Sequence, residues 1–171
     1  DSAVTIAHLL GHTAGVSDIY RWPEYAERHG DSISLVAIAA SAHAKPLDFR
    51  PGSASAYSNT GYALLALLVE RLTRRSFGDA LRTELLEPLG MRCTGDRLGG
   101  PLEPRDAMGY DPGFPPVELT VARQVHPSWL VGSGSLFACV DDLLRWGEAV
   151  REDRPVRVAT GGAPITLHAV G

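Results

Sequence analysis

The chain is poor in features that mark several large classes of protein. It has one lysine, Lys45, and its other basic residues are scattered arginines with no basic stretch interleaved with aromatics. It therefore offers no phosphate-tracking surface, and no nucleic-acid partner is expected. No apolar run is long enough to span a bilayer, and Asp1-Ser2-Ala3 opens straight into structured-looking sequence without a charged n-region or an apolar h-region. Localisation stays open, and we expect the true start of the protein to lie upstream. The only cysteines, Cys93 and Cys139, are far apart and fit no metal-ligand spacing. We read them as two buried thiols, with one disulfide as the alternative.

What is present suits one domain or a large part of one, since 171 residues at 44% hydrophobic content can bury a sizeable core. The apolar pattern predicts a short helix over 4–10, capped by Asp1 or Ser2, and a surface helix over 20–29 with Pro23 near its start. Ser32 or Ser34 caps an Ala-rich helix that begins at Leu35 and ends before Pro46. Residues 62–72 are apolar nearly all round, which predicts a helix buried on most sides, with Glu70 and Arg74 spaced to pair at its polar end. Ser76 with Asp79 starts another helix, stopped by Pro88-Leu89-Gly90. Between 95 and 127 the chain turns to Gly and Pro, as in Gly99-Gly100-Pro101, Asp111-Pro112-Gly113 and Pro115-Pro116. Loops are expected there, with short strands at most around 107–110 and 118–121. The last helix, over 140–150, carries Val140, Leu143, Leu144 and Val150 on one side, and beyond Arg154 no element fits.

One stretch invites a chemical reading. Phe49-Arg50-Pro51-Gly52 marks a turn, and Tyr57-Ser58-Asn59 stands between it and the long apolar helix. Ser58 or Asn59 could simply cap that helix while the Tyr57 ring packs. Alternatively, the phenol and the amide project together into a cleft, where a tyrosine needs a neighbouring cation to act as a base because its ordinary pKa is about 10. His8 and His12, four apart, could share one helical face, but no Glu follows His8 and no third ligand is evident, so no metal is implied. Gly132-Ser133-Gly134 lacks the third glycine of a dinucleotide loop, and no Gly-x-Ser-x-Gly occurs. Tyr20, Trp22 and Tyr25 could line a cleft or pack on the core.

Four blocks in order resolve the ambiguity by resemblance. Thr5-Ile6-Ala7-His8-Leu9-Leu10-Gly11-His12-Thr13-Ala14-Gly15 resembles a segment of the class C beta-lactamase and penicillin-binding-protein-like serine hydrolases. Phe49-Arg50-Pro51-Gly52 with Tyr57-Ser58-Asn59-Thr60-Gly61-Tyr62, then Glu87-Pro88-Leu89-Gly90-Met91, then Gly132-Ser133-Gly134-Ser135-Leu136-Phe137 with Asp142-Leu143-Leu144-Arg145-Trp146, are similar to its later blocks. The resemblance covers about the first 150 residues. It implies the mainly α portion, with short strands, of the α/β plus all-α beta-lactamase/transpeptidase-like fold. Residues 1–150 would be a partial beta-lactamase-like domain and 151–171 an irregular tail, truncated or shifted in frame.

The same resemblance implies an acyl-enzyme formed on the serine of a Ser-x-x-Lys motif, with Tyr57 as the catalytic acid or base and Asn59 binding the substrate or orienting the motif lysine. The substrate would be a small-molecule or peptide acyl compound: a carboxylic ester, a D-amino-acid peptide or a beta-lactam. No cofactor is implied, and the oligomeric state is open. Lys45 is preceded three residues earlier by Ala42, so the chain contains no Ser-x-x-Lys. The third family motif, Lys-Thr-Gly or His-x-Gly, is also missing: Thr160-Gly161-Gly162 lacks the preceding Lys or His, and His168 is wrongly spaced from Gly171. We expect the chain alone to be inactive, with a non-catalytic binding or structural remnant as the rival reading. Cys139 and Ala138 stand where Thr and Ser are usual, which predicts a weaker start to the last helix.

Overall fold

The computed structural model describes residues 4–99, 106–112, 119–122, 125–152, 155–156 and 165–166. Helix α1 (Ile6–Leu10) starts on a capping box, in which Thr5 Oγ1 accepts from the His8 N–H and His8 Nδ1 accepts from the Thr5 N–H. Asp1 and Ser2, the expected caps, lie outside the described residues. A 3-10 turn at Ile19–Arg21 leads into α2 (Pro23–Arg28), with proline at its first position. Ser34, rather than Ser32, caps α3 (Leu35–His43) through the Ala37 N–H at 3.1 Å. Helix α4 (Asn59–Thr73) is capped by Ser58, whose Oγ accepts from the Gly61 N–H at 3.2 Å. Helix α5 (Phe77–Leu81), capped by Ser76 through the Asp79 N–H, continues as a π-helical segment over Arg82–Leu86, and α6 is Val140–Arg151.

The strands are short and pair only as two-stranded antiparallel ribbons among the described residues. Strand β1 (Gly95–Asp96) pairs with β4 (Leu136–Phe137), β2 (Tyr110–Pro112) with β3 (Leu119–Val121), and β5 (Pro155–Val156) with β6 (Ile165–Thr166). The Gly and Pro stretch thus contains a pair of strands, β3 where one was expected and β2 beginning at Tyr110, where the other was expected to end, and β1 lies in it as well. Gly100, Pro101, Gly113, Pro115 and Pro116, and the tail residues Thr160, Gly161, Gly162 and His168–Gly171, lie outside the described residues.

The main core joins Ile19, Trp22, Leu35 and Ile38 to Ala63 and Ala66 of α4, with Trp129 and Val131 closing over them. Full burial of a side chain such as Ile38 stabilises the fold by about 1.5–3 kcal/mol. Gly132, at φ 82°, lets its loop lie flat on α4, since a Cβ there would stand 2.6 Å from the Tyr62 carbonyl oxygen. Contact with α4 therefore runs through its small residues. Its leucines 64, 65, 67 and 68 are only half-buried and Leu72 is exposed, so the expected burial on most sides is not met. Glu70 accepts from the Phe77 N–H at 2.9 Å and Arg74 ends the helix in the left-handed region, in place of the expected pairing of their side chains.

A second cluster gathers Leu86, Leu89, Met91 and Ala149, with Trp146 against it. Here α6 departs from its sequence pattern. Val140, Leu143 and Leu144 are exposed, and the residue its first turn buries is Asp142, at 1% exposure. Its carboxylate accepts from the Cys93 N–H at 2.8 Å, Thr94 Oγ1 at 2.9 Å and Arg145 at 2.8 Å, bonds that an apolar residue could not make. Cys139 stands at the N-cap position of α6 and makes no side-chain cap, as its replacement of threonine predicted.

Candidate active site

Two loops laced together build this site. Gly15, at φ 74°, lies so close to residue 49 that a Cβ would overlap the Phe49 carbonyl, which only glycine permits. Three main-chain bonds cross the seam: Asp48 N–H to Gly15 O at 2.7 Å, Gly52 N–H to Thr13 O at 2.9 Å and Ala56 N–H to His12 O at 3.0 Å. Thr60 Oγ1 then donates to the Ser17 carbonyl at 2.8 Å. The extended approach to Tyr57 and the first turn of α4 are thereby templated by residues 12–18.

The structure brings Tyr57 and Asn59 together. The Tyr57 hydroxyl donates to Asn59 Oδ1 at 3.2 Å, and the Tyr57 side of this pair is open to solvent at 67% exposure while Asn59 is buried at 7%. Ser58 caps α4 and the Tyr57 ring packs against His12, as the capping reading expected, while the phenol is also hydrogen-bonded to Asn59. Asn59 is anchored from below by Asp18, whose Oδ2 accepts from the Asn59 main-chain N–H at 2.6 Å and from its Nδ2 at 2.9 Å. Asp18 escaped the sequence reading because its partner is 41 residues away, and no local pattern announces such a contact.

His12 also has a different place from the one expected. Helix α1 stops at Leu10 and His12 sits at φ 55°, so His8 and His12 share no helical face. The His12 ring lies between Tyr57, at 4.5 Å between centroids, and Tyr62, at 5.2 Å, and its Nδ1 accepts from the Ser58 N–H at 3.2 Å. It is a spacer that supports the Tyr57 ring.

The aromatic trio divides. Trp22 is buried in the core, Tyr25 packs edge-on against Trp129 at 5.4 Å, and Tyr20 remains half exposed against Tyr25 at 4.8 Å. Burial pushes the Tyr20 phenol above its ordinary value, and the nearby Tyr25, Asp18 and Tyr57 add to this. Tyr25 rises through burial first and Asp18 second. The single lysine is occupied elsewhere: Lys45 Nζ binds Glu24 Oε1 at 2.9 Å and lies 5.0 Å above the Trp22 ring. The bond to Lys45 holds the Glu24 carboxyl below its usual range.

Cys93 and Cys139 form a disulfide, with Cα atoms 5.8 Å apart, so the reading as two buried thiols is replaced by its alternative. The pairing follows from the fold, which runs the chain from Met91 beside the start of α6. Asp142 lies within the same cluster, its carboxylate within 4.8 Å of the sulfurs. Sulfurs joined to each other are not thiolate ligands, so this convergence is not a metal centre.

Comparison with known proteins places the chain in a family. The family profile described as beta-lactamase matches residues 1–166. Penicillin-binding protein 4* of Bacillus subtilis is 29% identical over 163 residues, covering 88% of this chain and 36% of that protein. A D-aminopeptidase of Gluconobacter oxydans is 27% identical over 110 residues, covering 64% of this chain and 20% of that protein. In three dimensions, the D-amino acid amidase of Ochrobactrum anthropi SV3, solved with D-phenylalanine, superimposes with a TM-score of 0.76 at 22% identity over 92% of this chain and 46% of its own. The chain spans about a third of the length of the first of these relatives. The chain belongs to the beta-lactamase family and, with its helices and short strands, carries the mainly α portion of the beta-lactamase/transpeptidase-like fold.

Proposed function

We propose that residues 1–171 supply the Tyr-x-Asn part of a serine hydrolase that works through an acyl-enzyme, with the attacking serine contributed from outside this chain. The observation that carries the reading is the Tyr57 hydroxyl on Asn59 Oδ1, exposed on one side and anchored on the other. A phenol in this position can pass a proton to or from a serine and its leaving group, and Asn59 beside it can hold the substrate or orient a lysine. Lys45, bound to Glu24, does not serve as that lysine, and the chain has no Ser-x-x-Lys of its own. Residues 1–150 form the working part and 151–171 a tail outside it.

The substrate class is a small-molecule or peptide acyl compound, and we favour a carboxylic ester or a D-amino-acid peptide or amide over a beta-lactam. The likeness to proteins named D-aminopeptidase and D-amino acid amidase supports the second of these. Incubating the isolated chain with an acylating serine probe, a chromogenic lactam and a chromogenic ester, followed by intact mass, tests the assignment. No adduct and no turnover are expected from the chain alone. A serine-linked adduct would overturn the claim that its nucleophile lies elsewhere. The rival, a non-catalytic member of the same fold, rests on the missing Ser-x-x-Lys, and is favoured if the full gene product is equally inert.

A further inference from the structure

Asp18 belongs to none of the sequence blocks, yet its carboxylate is where three bonds meet. Oδ2 accepts from the Asn59 main-chain N–H and from Asn59 Nδ2, and Oδ1 accepts from the Tyr20 N–H at 2.9 Å. A carboxylate offers acceptors only. The Asn59 amide must therefore turn its NH2 toward Asp18, which leaves Oδ1 on the Tyr57 side to accept the phenol proton. We infer that Asp18 is the positioning residue of this site: it selects which end of the Asn59 amide faces Tyr57, and so fixes the direction of the Tyr57 hydroxyl proton. The importance of that direction rests on the reading of Tyr57 and Asn59 given above, whereas the amide orientation is measurable without any turnover.

A plainer role for Asp18 is as an anionic support for the start of α4, where exposed N–H groups and the helix dipole favour negative charge. That role uses its bond to the Asn59 main-chain N–H. The start of α4 is also held by the Ser58 cap and by Thr60 Oγ1 on the Ser17 carbonyl. The bond to Nδ2 adds nothing to the helix backbone and acts on the amide alone. The Tyr20 N–H on the other oxygen pins the carboxylate so that it cannot follow a rotating amide.

The chain contains one asparagine, Asn59, and one glutamine, Gln124, so its 15N spectrum holds two side-chain NH2 pairs and assignment is direct. In the wild type, one Asn59 Nδ2 proton is expected to be shifted downfield and protected from exchange. Asp18→Ala should return that pair to the free-amide position and speed its exchange by roughly tenfold or more, as losing a charged hydrogen bond implies. Asp18→Asn, which keeps an acceptor without the charge, should restore part of the protection. Thr60→Val cuts a neighbouring tie between the same loop and helix, and should leave the Asn59 pair in place. An unmoved Asn59 pair in Asp18→Ala overturns the proposal, as does a Thr60→Val effect of equal size. If Asp18→Ala does not fold, the Asn variant decides: an Asn59 pair identical to wild type then counts against it. Absence of hydrolysis in the full gene product would sink the catalytic reading and leave this orientation result standing.

Discussion

The rings of His12 and Tyr57 lie 4.5 Å apart, and His12 also binds the main chain next to that tyrosine by accepting the Ser58 N–H. One residue therefore sets both the tilt of the phenol and the backbone from which it projects. The two roles can be separated. His12→Phe keeps an aromatic surface and leaves the Ser58 N–H without its acceptor, at an expected cost of about 1–2 kcal/mol. His12→Asn places an amide oxygen near the lost Nδ1 and tolerates the left-handed backbone, so it should cost less. Urea unfolding of both variants checks this, and an equal loss in the two would contradict the hydrogen-bonding role.

The disulfide ties residue 93 to the N-cap of α6 across a sequence separation of 46. Closing a loop of that size is worth about 4 kcal/mol in the chain-entropy account, with measured bonds running from about 2 to 4 kcal/mol. A dithiol reductant, or Cys93→Ala with Cys139→Ala, should lower the urea midpoint accordingly. Two titratable thiols in the untreated chain would show that the bond does not form.

Asp142 gives an acid dependence with a definite sign. Burial alone would raise its pKa, but the bonds from the Cys93 N–H, Thr94 and Arg145 outweigh that and hold the carboxyl below 3.8. A lowered folded-state value means the carboxylate stabilises the fold above that ordinary value, and the contribution is lost as pH falls through the lowered one. The stability gap between wild type and Asp142→Asn should thus be full at neutral pH and narrow below about pH 3.8. A gap independent of pH would contradict this account.

The outward stripe of α6, where Val140, Leu143 and Leu144 are exposed, is an apolar face without a partner among the described residues. We expect the isolated chain to bind a hydrophobic dye and to self-associate as concentration rises. Leu143→Lys with Leu144→Glu should suppress both effects without lowering the melting temperature. A monomeric, cooperatively melting wild type that binds no dye would refute the expectation.

What the sequence disclosed was local. Ser34, Ser58 and Ser76 announce their helices because a cap acts on N–H groups two or three residues on, and Tyr57 with Asn59 is legible as a spaced pair. Asp18 and His12 were not legible as partners of that pair, since the lacing of two loops through Gly15 is a tertiary event. Periodicity misled at α6 because an apolar stripe reports that a face will be covered, without saying by what. Cys93 and Cys139 left two readings open for the same reason, as their approach depends on how the second cluster folds.

The most direct test of the account is the rate of the full gene product carrying residues 1–171, with and without the Tyr57 hydroxyl, on a D-amino-acid amide, a carboxylic ester and a beta-lactam. Tyr57→Phe keeps the ring against His12 and removes only the proton-carrying oxygen. The account predicts a loss of about 10²–10⁴-fold in kcat on the preferred substrate, the range of general acid-base catalysis. Equal rates for Tyr57→Phe and wild type would contradict it.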